Sequence, residues 1–215
     1  LSCDPALGAD LTELFNHLTG YSRPAEFRRL LVAPRHLRSD LVALIREQAR
    51  PDGRITLKMN ALVDAELIDE IYAAAAAGAR IDLVVRSICC LRAGVPGLSE
   101  RISVRSVVGR YLEHSRVYRF GEPGAPDTRY LLGSADLMPR NLDRRVEALV
   151  QVTDARLRAR LDEVLDLNLT DTALSWTLGA DDRWHKVAAD GTAESQVRFQ
   201  ELAAARSRAR TADAP

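Results

Sequence analysis

The chain of 215 residues is short of lysine: Lys58 and Lys186 are the only two among its 30 basic residues. Arginine fills the other places. With the heavy use of alanine, this skew reflects a GC-rich genome and carries no functional weight. Cysteine is scarce as well. Three residues, two of them adjacent (Cys89 and Cys90), cannot make an even framework of disulfides, and they fit a reducing compartment. No apolar run approaches the ~18 residues of a membrane span, and no charged-then-apolar amino terminus marks a signal peptide. Net charge is missing too, since 30 basic residues face 30 acidic ones. That balance excludes a protein that coats polyanions by bulk charge, while leaving room for a local phosphate-binding patch. Glycine and proline number only 12 and 9, and charged residues are interspersed with apolar ones, so the chain is not disordered. It begins at Leu1 in place of Met, which we read as a fragment or a processed product.

What is present is a core's worth of apolar residues, 47% of the chain, in an alternating order. At roughly 150 residues per domain, the length suits one domain with an appendage or two small ones. Residues 10 to 18, with Leu11, Leu14, Phe15 and Leu18, read as a short helix that Gly20 to Pro24 then breaks. A strand at 29–33, a helix from Leu37, and a strand at 55–59 follow. The next helix has Asp64 as its cap, Leu67, Ile68, Ile71, Tyr72 and Ala75 as its buried stripe, and Gly78 at its close. A strand at 81–85 ends at Arg86. Strand, helix, strand in this rhythm predicts an α/β fold with a parallel or mixed sheet covered by helices. Further strands are expected at 102–107, 115–120, 129–133 and 146–152, and a helix from Asp154. The residues from about 188 on are polar and weakly patterned, and read as a frayed helical tail.

Four histidines are available for chemistry. His17, His36 and His185 read as surface or satisfied residues. His114 stands in Tyr111-Leu112-Glu113-His114-Ser115-Arg116, at the entry to an expected strand, and in extended chain it shares a side with Arg116. An imidazole beside a guanidinium suits phosphate chemistry: the ring can attack, shuttle a proton or donate, while the arginine forks onto oxygens. Downstream, Gly133-Ser134-Ala135-Asp136 and the trailing Asn141 and Glu147 extend the pattern. The bland alternative is an exposed histidine on an edge strand beside ordinary turn residues. Arg86, at the carboxyl end of an expected parallel strand, lies where open α/β sheets place ligands, or it simply marks where the strand surfaces. Cys89 and Cys90 lack a second ligand pair for zinc and read as buried small apolar residues. Neither a Walker-type phosphate loop nor a Ser-His-Asp constellation is visible.

Several stretches together resemble the carboxy-terminal half of the bacterial, long-chain, ATP-dependent polyphosphate kinases. They are Ile55-Thr56-Leu57-Lys58-Met59-Asn60-Ala61-Leu62-Val63-Asp64, Val84-Val85-Arg86-Ser87-Ile88-Cys89, Gly94-Val95-Pro96-Gly97-Leu98-Ser99-Glu100, Arg110 to Arg116, and Gly133 to Glu147. The resemblance runs from about residue 1 to residue 186. It implies a phospholipase-D-like fold, a mixed sheet flanked by helices, that occurs twice in the whole enzyme with the active site between the copies. This chain would be the second copy: a helical linker at 1–24, the domain at 25–187 and a tail at 188–215.

In that family a histidine of the first copy is phosphorylated by ATP and passes the phosphoryl group to polyphosphate. By the same resemblance His114 is the second active-site histidine, catalytic and in contact with nucleotide phosphate. Arg86 is then the ATP-contacting arginine and Arg116 a phosphate-binding one. The phosphorylated histidine, the metal-contacting arginines and an adenine-side tyrosine have no counterpart here, so Mg2+ is expected in the full enzyme with ligands outside this chain. The resemblance also implies ATP or ADP, polyphosphate, the upstream half of the enzyme and further copies as partners. It implies no nucleic acid, a cytoplasmic location and at most peripheral contact with the inner face of the membrane. Phospholipase D relatives usually carry Lys where Arg116 stands and Asn where Asp136 stands, which argues against a diesterase. Two other readings stay open: a single-motif phosphodiesterase that completes its site by dimerising, and a non-catalytic domain for polyphosphate binding or oligomer contacts. For the last, Lys58, Arg86, Arg92, Arg110, Arg116, Arg140 and Arg145 could line a path, with Arg86 and Arg116 the ones to trust.

Overall fold

A computed structural model describes residues 2–20, 26–188 and 194–212. Of the break expected at Gly20 to Pro24, Gly20 follows the helix with a positive φ of 83°, and the rest lies outside the described residues. The first helix, α1 (Pro5–Leu18), begins earlier than its apolar spacing suggests, because Asp4 caps it by accepting from the Ala6 N–H at 2.9 Å. Most of its expected stripe does not point inward: Leu11, Phe15 and Leu18 are exposed, Leu14 is half-buried, and the buried residue is Asp10. That carboxylate accepts from the backbone N–H groups of Arg28, Arg29 and Leu30, and so ties α1 to the start of the first strand.

Nine strands among the described residues form one sheet. They are β1 (Leu30–Ala33), β2 (Arg54–Met59), β3 (Arg80–Val85), β4 (Ile102–Val107), β5 (Arg116–Phe120), β6 (Arg129–Gly133), β7 (Glu147–Gln151), β8 (Ser175–Leu178) and β9 (Trp184–Lys186). Their order is β1-β7-β6-β5-β2-β3-β4-β8-β9. β2, β3 and β4 run parallel, and every other neighbouring pair is antiparallel. The α/β expectation with a mixed sheet therefore holds. β5 lies inside the sheet between β6 and β2, so His114 does not lead into an edge strand.

Alternation along β2 divides the molecule into layers. Ile55, Leu57 and Met59 pack with Leu41 and Ile45 of α2 (Leu37–Glu47) and with Leu67 and Ile71 of α3 (Ala65–Ala76). Asp64 caps α3 as expected, accepting from the Leu67 N–H. On the other face Val117 and Tyr130 pack against Leu161 and Leu165 of α5 (Ala155–Thr170). That side also carries a buried polar network. Arg119 donates to Asp162 at 2.7 Å and to Thr56 at 3.0 Å, while the Tyr130 hydroxyl donates to Asp162 at 2.7 Å.

Two further helices are α4 (Pro139–Arg144) and α6 (Ser195–Ala212). The segment expected as a frayed tail is thus helical over 195–212, and much of it is docked. The Ser195 N–H donates to Asp171, Gln196 pairs with the backbone of Tyr111, and Arg206 pairs with Glu163. Weak amphipathicity hid this because polar bonds, not an apolar stripe, hold the helix. The cysteine expectation also needs correcting. Cys89 is half-buried, its thiol pushed up to about 11 by burial, but Cys90 is exposed on an irregular stretch after β3.

Candidate functional site

The strand directions bring four chain segments to one edge of the sheet. β2 and β3 are parallel, so their carboxyl ends lie side by side; β5 is antiparallel to β2 and begins at that same edge, where β6, antiparallel to β5, ends. Asn60 follows β2, Arg86 follows β3, His114 and Arg116 open β5, and Asp136 follows β6. Gly133, at the end of β6, has to be glycine. A Cβ there would lie 2.0 Å from the Ala148 carbonyl oxygen, so a side chain would push the turn to Asp136 off the neighbouring strand.

Asn60 is the hub of the cluster. Its Oδ1 accepts from Arg86 Nε at 2.7 Å, its Nδ2 lies 3.1 Å from His114 Nδ1, and its backbone N–H donates to Asp136 Oδ1 at 2.7 Å. Arg86 Nη2 is 3.3 Å from the same His114 Nδ1. Arginine has only protons to give, so we assign Nδ1 as the acceptor and the proton of the neutral ring to Nε2; Asn60 Nδ2, also a donor, lies closer to Nδ1, at 3.1 Å, than to Nε2, at 3.4 Å. Arg116 grips Asp136 with Nε at 3.1 Å and Nη2 at 2.8 Å, and its Nη1 donates to the His114 carbonyl at 2.8 Å. The fork expected to face phosphate is therefore taken by a carboxylate. One hydrogen remains on each terminal nitrogen for an incoming oxygen.

Beneath these groups lies Lys58, 5% exposed, in an ion pair with Glu113. The other oxygen of Glu113 accepts from the Ser115 N–H at 3.1 Å and from the Ser115 hydroxyl at 2.6 Å.

The electrostatics follow from this packing. Burial, then the charges of Arg86 and Arg116, push Lys58 down to about 8. Desolvation, then Arg116 and Arg86, lower the exposed His114, and Asp136 offsets part of that. Burial alone would raise Asp136, but the bonds from Arg116 and Asn60 win and hold it below the usual carboxylate range. At neutral pH the site is a neutral imidazole that offers an N–H amid a surplus of positive charge, which is chemistry for binding an anion. Beside it opens a cavity of about 600 Å³ walled by Tyr111, Leu112, Leu161, Val164 and Phe199.

His114, Arg86, Arg116 and Asp136 converge as the sequence suggested, whereas Asn141 and Glu147 bond each other at 2.6 Å instead. Of the proposed arginine path, Arg92 pairs with Asp182, Arg145 lies near Glu147, and Arg110 sits over the Tyr111 ring. Asn60 is the residue that sequence reasoning missed as a site member, and Lys58 was expected only as one cation of a polyphosphate path. Their one signal is a Lys-x-Asn across the end of β2, with Lys58 inside the strand and Asn60 just past it. Mg2+ takes oxygen ligands in near-octahedral geometry, and the two carboxylates here are both committed to cations and N–H groups, so these residues do not fit that ion.

Residues 30–200 match the family model described as polyphosphate kinase C-terminal domain 2. The polyphosphate kinase of Streptomyces coelicolor is 50% identical over 208 residues, which make up 94% of this chain and 28% of that protein. The crystal structure of polyphosphate kinase from Porphyromonas gingivalis matches with a TM-score of 0.87 at 30% identity, covering 97% of this chain and 33% of that one. Nuc from Salmonella typhimurium, a phospholipase D family member, matches with a TM-score of 0.50 at 13% identity, a likeness of fold alone. The chain thus spans about a quarter to a third of the length of the polyphosphate kinases it matches.

Proposed function

We propose a function from one premise: the chain belongs to the polyphosphate kinase family, as the carboxy-terminal domain that residues 30–200 match. Its fold is phospholipase-D-like. In our reading the parent enzyme reversibly moves the terminal phosphoryl group of ATP to inorganic polyphosphate through a phosphohistidine. This chain supplies one wall of the site. The observation that carries the reading is the gathering of Arg86, Arg116 and the Nε2–H of His114 on one edge, with Lys58 beneath.

Each group then has a task. Phosphoryl transfer asks a protein mainly for positioning and for charge around the transferring oxygens. Arg86 keeps Nη1 for a nucleotide phosphate while its Nε and Nη2 are anchored on Asn60 and His114. With Nδ1 engaged as acceptor, His114 is set up to donate from Nε2 rather than to attack. It would give its hydrogen bond to the oxygen that takes up charge as the bond to the transferred phosphorus breaks. The attacking histidine belongs to the upstream part of the enzyme, as do the ligands of Mg2+. ATP or ADP, polyphosphate, that upstream part and further copies of the chain complete the proposed partners, and nucleic acid is not among them. We place the enzyme in the cytoplasm, at most peripheral to a membrane; among the described residues no helix is long and apolar enough to cross one.

The test is a calorimetric titration of the chain with tripolyphosphate and with Mg-ATP, run beside a diester hydrolysis assay. Binding without turnover, weakened in His114→Ala, is the expected result. In the full-length parent the same substitution should remove most of the activity. Diester turnover by the chain alone, abolished in His114→Ala, would replace this reading with the dimeric phosphodiesterase.

A further inference from the structure

The mechanism leaves unused the charged pair beneath the site, buried Lys58 with half-buried Glu113. Lys58 is a cation in the floor of a site that already holds two arginines, and a buried ion pair generally contributes little stability over a well-packed apolar pair. Stability therefore explains its presence poorly. Its geometry explains more. Glu113 and Ser115 flank His114 in the chain, and Lys58 reaches both: it pairs with the Glu113 carboxylate and donates to the Ser115 carbonyl at 3.3 Å. Glu113 closes the ring by accepting from the Ser115 N–H and hydroxyl. The backbone on either side of His114 is thereby fixed from below, while Arg116 holds the His114 carbonyl from the side. His114 itself sits on an irregular stretch, near the exposed Tyr111 and Leu112, before β5 begins at Arg116, so no ladder of strand bonds holds it.

We propose that Lys58 and Glu113 are positioning residues: the pair holds His114 so that its imidazole stays against Asn60 and Arg86, and neither side chain needs to touch the anion. This rests on the reading of His114 as the phosphate-facing histidine.

Charge and position make opposite forecasts, which gives the test. Take the 215-residue chain with 15N-labelled histidine as wild type, Lys58→Met, Glu113→Gln and the double variant. Measure tripolyphosphate affinity by calorimetry and the His114 ring shifts by NMR. If the pair acted only through its field, Glu113→Gln would add net positive charge and tighten binding, while Lys58→Met would weaken it. A positioning pair weakens binding in both single variants, by about tenfold, and moves the His114 ring shifts toward those of a free histidine. The double variant restores the net charge of the wild type, and the amide oxygen that replaces the carboxylate at position 113 can still accept from Ser115. With the Lys58 bonds to Glu113 and Ser115 gone, a positioning pair predicts that it still binds about tenfold more weakly than wild type, the loss of one single variant and not of two, whereas a pure field effect predicts wild-type affinity. Unchanged His114 shifts in Glu113→Gln, a double variant that binds like wild type, or one whose loss is the sum of the singles, would overturn the proposal. Should either single variant fail to fold, the charge-neutral double variant still decides it. If His114→Ala binds tripolyphosphate like wild type, the functional reading falls, while the ring shifts in Glu113→Gln still report whether the clamp exists.

Discussion

At the scale of single residues, the site depends on which group holds which proton. His114 has a depressed pKa, so the unfolded chain takes up a proton first as the pH falls below about 6.5. The stability contribution of this ring is accordingly full above that pH and declines toward the folded value. Asp136 favours the charged ring, so Asp136→Asn should lower the His114 pKa further and leave Arg116 without its carboxylate, at a cost of about 3 kcal/mol. An NMR titration of the His114 ring with a urea melt checks both. A raised His114 pKa in the variant would mean that the arginines do not govern the ring. The sequence made His114, Arg86, Arg116 and Asp136 visible because each stands where an expected strand begins or ends. Asn60 was hidden, and Lys58 visible only as one cation of a path, because a strand that buries both faces tolerates polar residues on one of them or just past its end. Only the sheet order reveals that this face carries the site.

At the scale of elements, strong periodicity was legible and polar docking was not. The cap and apolar stripe of α3 could be read directly, since Asp64, Leu67, Ile68 and Ile71 each play their expected part. The short α4, β8 and β9 went unread because six, four and three residues are too few to show a period. α6 carries no apolar stripe for a sequence reading to find. Its anchor is Gln196, 6% exposed, whose Oε1 accepts from the Tyr111 N–H at 2.9 Å and whose Nε2 donates to the Tyr111 carbonyl at 2.8 Å. Gly109 lets the strand-to-loop segment approach this close, since a Cβ there would meet Gln196 Oε1 at 2.5 Å. Gln196→Ala would leave two backbone groups unpaired, each costing about 1–3 kcal/mol. The expected outcome is a lower urea midpoint and faster hydrogen exchange at the Tyr111 amide and along 195–206. Unaltered exchange at Tyr111 would show that α6 is held by its other contacts, those of Ser195 and Arg206.

At the scale of the whole molecule, a formal charge of zero conceals a positive site, because acidic residues that balance the arginines lie in surface pairs away from it, such as Arg46–Glu70, Arg54–Glu122, Arg92–Asp182 and Arg198–Glu201. Short-range charge of this kind should give tripolyphosphate binding that weakens several-fold as the Debye length shrinks from about 10 Å at 0.1 M salt to about 3 Å at 1 M. Catalysis is a separate matter from binding. The edge of the sheet offers a donor histidine and two arginines, but its Nδ1 is committed as an acceptor, and the reading assigns the attack to a histidine outside this chain. We therefore expect the isolated chain, given Mg-ATP and a polyphosphate primer, to form no ADP above background. Mixing it with the separately expressed upstream part of the same enzyme should restore ADP formation, and restoration should be lost with His114→Ala. ADP formation by the chain alone, sensitive to the same substitution, would mean that two copies complete a site between themselves and that His114 attacks as well as donates.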